Sequence, residues 1–314
     1  MAPTYRAQCR DVNRRGGLFI ALVTAAAALA IPAASASAAT GPPTLELNGP
    51  KSPGLLGKVT AAGKVPGVAA GTPVTVSVEA SGRTVEKKQV TTNATGAYAY
   101  PFVIDSCCNY SVTATSGGQS SGAQRFAVRV PKHLRKGAIT RLYNDSLVRQ
   151  GYHIGRNASS RFTLGSRLGT AAFRKVNNMA RNMQYKPVIF RKLLMGRGAF
   201  QPRYHSGRHV EVDISRQVMA LVNGDDVVAT FHVSTGKSST PTVRGTYHFY
   251  RKEPGTNSHG MYMSVYFIRG YATHGYPSVP MHEAASHGCV RNPEIFSVYI
   301  YNWIHLGDAI HVYN

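Results

Sequence analysis

From Thr44 to Val130 apolar side chains recur at every second position in short runs, and that period builds strands, not helices. TPVTVSVEA sets Val74, Val76 and Val78 on one face and Thr75, Ser77 and Glu79 on the other. GAYAYPFV repeats the pattern with Tyr98, Tyr100 and Phe102, and QRFAVRV with Phe126, Val128 and Val130. Turn-forming clusters (GKVPG, ASGR, NATG, TSGGQ) separate about seven such runs.

Residues 39–130 therefore read as an immunoglobulin-like β-sandwich, and VTTNATGAYAY resembles a strand and turn of bacterial immunoglobulin-like surface modules. Between residues 131 and 205 the period changes to helical. Ile139, Leu142, Tyr143 and Leu147 share one helix face; Ala172, Phe173, Val176, Ala180 and Met183 share another. LVRQGYHIG followed by LGSRLGTAAFRKVNNMARN resembles a three-helix peptidoglycan-binding module, and a plain helical spacer is the alternative. Residues 206–314 return to alternation, with Asn223-Gly224 as a hairpin turn. One helix is expected there, PEIFSVYIYNWI, with Asn292 as N-cap and Pro293 at its first position. The upstream regions are expected to give this last domain no part of its site.

The first 38 residues carry Arg6, Arg10, Arg14 and Arg15, then GGLFIALVTAAAALAI, then PAASASAA. A charged region, an apolar core and small residues in that order read as a cleaved signal peptide, with Arg14-Arg15 leaving general or twin-arginine export open. Removing it lowers the formal charge of +22 by three, so the exported chain stays strongly basic. Its expected partners are anionic cell-wall polymers and carboxylated peptides. Nucleic acid is not expected, since no motif places base-reading residues. Cys107 and Cys108 are adjacent and pair with each other or not at all, which leaves Cys289 as an odd thiol in an oxidising compartment.

MHEAASHGCVRNP surrounds that thiol. HEAASH approaches the HExxH zinc signature, but its five-residue spacing turns His287 about 140° around a helix from His282. No metal ligand set is expected, and His232, His248, His259, His282 and Glu283 read as solvated surface. A thiol attacks as thiolate, which the helix start at Asn292 and a nearby base would favour. His274 in FIRGYATHG is the base candidate.

HGYPSVPMHEAASHGCVR, with VSTG at 233–236 and TPTVRGTY at 240–247, resembles the L,D-transpeptidase catalytic family over roughly residues 207–314. The fold class expected is thus mostly β and multidomain: sandwich, short helical module, and a C-terminal β-rich L,D-transpeptidase-like domain. The resemblance implies Cys289 as nucleophile and His274 as general base, oriented by the Gly275 carbonyl. It matches His287 and Ser286 to pocket positions before the cysteine, with Ser286 on the substrate side. The Gly288 and Cys289 amides become oxyanion donors, and Arg291 positions either the loop or a substrate carboxylate.

The implied reaction joins peptidoglycan stem peptides through 3→3 links, without cofactor, and carbapenems are the implied inhibitors. An L,D-carboxypeptidase, a protein-anchoring enzyme using the same cysteine, and a non-catalytic cell-wall-binding protein remain alternatives. Because the spacing defeats zinc, chelators should leave activity unchanged. Stoichiometric zinc in the purified protein, with activity lost on its removal, would reverse that expectation.

Overall fold

The computed structural model describes residues 39–50, 53–155 and 159–314; the expected signal peptide lies outside them. Eight strands come first: β1 (Glu46–Asn48), β2 (Lys58–Lys64), β3 (Pro73–Ala80), β4 (Arg83–Thr91), β5 (Ala97–Val103), β6 (Asn109–Ser116), β7 (Gln119–Ser120) and β8 (Gln124–Ala127). They form one sheet ordered β1-β2-β5 and a second ordered β4-β3-β6-β7, with β8 also on β6. Val59, Ala61 and Phe102 of the first sheet share one core with Val74, Val76, Val78, Val112 and Ala114 of the second. Alternation explains this: with side chains pointing to opposite faces in turn, each sheet has one apolar side to cover. Cys107 and Cys108 are joined as a disulfide.

Helices α1 (Ala138–Arg149), α2 (Leu164–Val176) and α3 (Pro187–Leu194) follow. A reciprocal capping box between Thr163 and Ser166 starts α2. The helix ends at Val176, short of the Ala180 and Met183 that its apolar period included, and Asn178 turns the chain at a φ of 52°. Pro187 at the first position of α3 marks a helix that the sequence reading did not single out. Tyr143, Leu147, Phe173, Ile189 and Phe190 bury into the same core as the sandwich.

The C-terminal region holds β9 (Arg208–Asp213), β10 (Val218–Asn223), β11 (Asp226–His232), β12 (Gly245–His248), β13 (Arg251–Thr256), β14 (Tyr262–Ile268), β15 (Tyr271–Tyr276), β16 (Val290–Pro293), α4 (Glu294–Trp303) and β17 (Ala309–Tyr313). One sheet runs β11-β10-β9-β17-β12 and the other β13-β14-β15-β16, with α4 packed on β14, β15 and β16. Asn223-Gly224 makes the β10–β11 turn, with Gly224 at a φ of 61°. Among the described residues no helix is long and apolar enough to cross a membrane.

This region is not closed off at residue 206. Strands β9 and β10 are buried on both faces, contrary to the half-solvated alternation expected of them, and α2 lies against β10 and β11. Leu168 of α2 belongs to the core of Val210, Phe231, Val290 and Phe296, and full burial of such a side chain contributes about 1.5–3 kcal/mol. Just after α1, Thr230 N–H donates to the Gly151 carbonyl at 2.7 Å and His153 N–H to the Thr230 carbonyl at 3.2 Å, extending the sheet beyond β11. His153 is ringed by Phe231, Phe296 and Tyr299. A chain beginning at Gln201 should therefore aggregate or melt well below one beginning at Lys136. Equal thermal midpoints would show that the upstream helices contribute nothing to this core.

Candidate active site

Parallel pairing of β15 with β16 sets His274 opposite Arg291 and Thr273 opposite Val290. Cys289 lies one residue before β16 and two before Arg291, at the end of the turn that enters that strand and beside Gly270, just before β15. The imidazole Nδ1 lies 2.9 Å from the Gly275 carbonyl oxygen. A carbonyl only accepts, so Nδ1 carries the proton and Nε2 is left with its lone pair. Tyr276 meets the ring edge-on at 5.9 Å, and the Arg291 guanidinium lies 4.0 Å over Tyr276.

His274 and Gly275 are buried, and the close packing explains the glycine. A Cβ at 275 would collide with Ser297 Oγ of α4, itself bonded to Asn292 Oδ1 at 2.7 Å. Asn292 is thus a strand residue tied to α4 and not its cap. The helix begins after Pro293 with no side-chain cap. Four extended residues hold its start about 13 Å along the strand from Cys289, so the helix terminus does not activate the thiol as expected.

The thiol has other neighbours: Met261 Sδ at 4.0 Å and the Gly270 carbonyl at 3.8 Å. Its polar contacts do not include His274, and bringing sulfur to the imidazole needs a rotation of the cysteine side chain. Burial raises the Cys289 pKa, against the smaller opposing effects of the Ala272 amide and Arg291. Burial also lowers His274 to about 4, against the Gly275 bond. The resting pair is thiol and neutral imidazole.

The SHGC turn is a compact strap. Ser286 is buried; its hydroxyl donates to the Cys289 carbonyl at 2.5 Å and accepts the Gly288 amide at 3.1 Å. That corrects the substrate-side placement of Ser286, whose side chain is spent on the loop. It also commits the Gly288 amide, one of the two expected oxyanion donors. Gly288 has a φ of 117°, and a Cβ there would strike the Tyr271 ring. His287 is exposed. Arg291 Nη1 donates to the Ala285 carbonyl of the same loop at 3.3 Å.

VSTG is the other half of the strap. Ser234 and Arg291 exchange backbone hydrogen bonds at 2.9 Å, Ser234 Oγ donates to the Glu283 carbonyl at 2.9 Å, and Ser286 N–H donates to the Thr235 carbonyl at 3.0 Å. Gln217, unmarked by the sequence reading, holds Thr235 from both sides: it accepts from the amide at 2.8 Å and donates to Oγ1 at 2.6 Å. No spacing signal marks Gln217, because the contact joins the segment before β10 to the segment after β11. His248, His259, His282 and Glu283 are exposed, whereas His232 is buried, a correction to its surface assignment. No cluster of three or more metal-ligating side chains occurs among the described residues.

Burial pushes His153 and His274 down to about 4, so the unfolded chain takes up their protons first. Their contribution is intact above the unfolded value near 6.5 and is lost as pH falls toward about 4. The thermal midpoint should accordingly drop between pH 7 and pH 4; a flat profile in a scan of melting against pH would contradict these histidines being buried and neutral.

The family described as YkuD: L,D-transpeptidase catalytic domain matches residues 207–312. The L,D-transpeptidase (residues 123–326) from Xylanimonas cellulosilytica is 26% identical, with a TM-score of 0.53, over 59% of this chain and 98% of that one. An L,D-transpeptidase (Yku) from Stackebrandtia nassauensis is 18% identical, with a TM-score of 0.37, over 59% and 96% of the two chains. None of the curated proteins matches the chain.

Proposed function

We propose that residues 207–312, which match the L,D-transpeptidase catalytic domain family, belong to an exported acyltransferase that forms 3→3 cross-links between peptidoglycan stems through Cys289. The observation that carries the reading is the His274 Nδ1 bond to the Gly275 carbonyl, on a strand paired with the one that Cys289 immediately precedes. With Nδ1 fixed as donor, Nε2 takes the thiol proton as sulfur attacks, which suits a pair that does not ionise at rest.

Sulfur adds to the carbonyl of the L-centre of the stem's diacid residue. The Cys289 amide is the remaining oxyanion donor of the expected pair. The intermediate collapses with cleavage of the peptide bond, and the terminal D-alanine leaves with the proton held on His274. A thioester remains. The amine of a neighbouring stem then gives a proton to His274 and attacks the thioester carbonyl, forming the cross-link and returning the cysteine to thiol. Arg291, clamped on Tyr276 and Ala285, holds the nucleophile's strap without touching the reacting atoms.

Localisation follows from charge as well as from the N-terminal segment. In residues 131–205 Asp145 is the sole acidic residue among many arginines and lysines, and the surface bases there attract an anionic wall at low ionic strength. Such docking is sequence-tolerant and weakens as salt is raised.

Incubating the protein with purified cell wall, digesting it and weighing the fragments tests the reaction. Dimers with 3→3 links are expected; trimmed tripeptides alone would assign water as acceptor. Cys289→Ala should abolish both products, and His274→Ala should cost at least about 100-fold, with the double variant little worse than Cys289→Ala. A carbapenem should add its mass to Cys289 in the wild type only.

A further inference from the structure

One buried cluster outside the cysteine site joins the upstream helices to the loop that carries it. Lys175, in the last turn of α2, points its ammonium at three acceptors: His232 Nδ1 at 2.7 Å, the Gln217 carbonyl at 3.2 Å and the Val233 carbonyl at 3.2 Å. The other imidazole nitrogen, His232 Nε2, lies 3.1 Å from the Val279 carbonyl. Val279 belongs to the loop between β15 and β16, the segment that runs from His274 to Cys289.

The hydrogens can be assigned. Val279 offers only an acceptor, so Nε2 carries the imidazole proton and Nδ1 accepts from the lysine. Three acceptors match the three hydrogens that Lys175 carries when protonated, and burial lowers its pKa to about 7. Burial lowers His232 as well, with Lys175 depressing it further, so the imidazole is neutral. A second contact runs the same way: Arg181, just beyond α2, donates to the His282 carbonyl at 3.2 Å and to the Ser215 carbonyl at 2.6 Å.

We infer that Lys175 and His232 are a positioning pair through which helix α2 sets the loop between His274 and Cys289. Ser234 and Thr235 pin that loop from Glu283 to Ser286, but its first half has only His232 and Arg181 as polar anchors among the described contacts. Neither Lys175 nor His232 reaches the reacting atoms. Their effect on turnover rests on the transpeptidase reading; their effect on the loop does not.

Two substitutions of the histidine separate position from packing. Asparagine places a polar atom where Nδ1 stands and can keep the lysine contact, but it does not reach Val279. Glutamine reaches to the Nε2 position with an N–H and can keep the bond to Val279. Hydrogen exchange of amides 281–286 and acylation of Cys289 by a soluble tetrapeptide are measured in the full chain.

His232→Asn and Lys175→Met should each speed loop exchange and slow acylation by about 10-fold or more, while exchange in β3 and β6 stays at the wild-type rate. His232→Gln, which keeps the Val279 bond but gives up the lysine contact, should be less impaired than His232→Asn in both. Wild-type loop exchange in His232→Asn would overturn the inference. So would a His232→Gln as impaired as His232→Asn, or a loosened loop with undiminished acylation. If wild type resists the tetrapeptide although iodoacetamide labels Cys289, the transpeptidase reading fails, and the exchange arm alone decides the positioning role.

Discussion

The parallel register of β15 and β16 is the constraint on which the rest of the site depends. It lays His274 beside Arg291 and brings Cys289, two residues earlier, up to the end of β15, although a long loop separates the two strands in sequence. Parallel strands require a crossover instead of a tight hairpin, so the connection from Tyr276 to Val290 has to be long. A long connection costs entropy to order, and the structure offsets that cost with hydrogen bonds spaced along it. Ser234, Thr235 and Arg291 hold its second half, Arg181 and His232 its first.

This arrangement makes the two short motifs one object. SHGC supplies a turn in which Ser286 closes on Cys289 and Gly288 passes under Tyr271; VSTG supplies the backbone that fastens the turn to the larger sheet. Each of these buried hydrogen bonds contributes only about 1 kcal/mol on balance, but leaving a partner unmade costs about 1–3 kcal/mol. The motif serine therefore has a structural use even though it sits three residues from the nucleophile.

Electrostatics fits the same picture. Burial keeps both His274 and Cys289 in their neutral forms, so the pair is held ready to pass a proton during attack and does not rest as an ion pair. The tautomer is set by one backbone carbonyl, at Gly275, a position that α4 restricts to glycine by packing Ser297 against it. Helix α4 acts on the site through that contact and through Asn292, not through its N-terminal dipole.

Period-two alternation was enough to place β3, β5 and the start of β8, because a β-strand's face is written in its own residues. The helical period of α1 and α2, the Asn223-Gly224 turn and the HG and SHGC motifs were legible for the same reason: each signal is local. What the sequence did not carry were contacts between distant segments. The burial of β9 and β10 on both faces required α2 to lie against the sheet, and the buried state of His232 required Lys175 to arrive from that helix. Asn292 looked like a cap because Pro293 and Glu294 follow it, yet pairing with β15 drew it into a strand. Local chemistry determined which groups the protein has to work with. The tertiary structure decided which of them meet, because a hydrogen bond or a desolvated charge depends on neighbours that the chain brings together only when it folds.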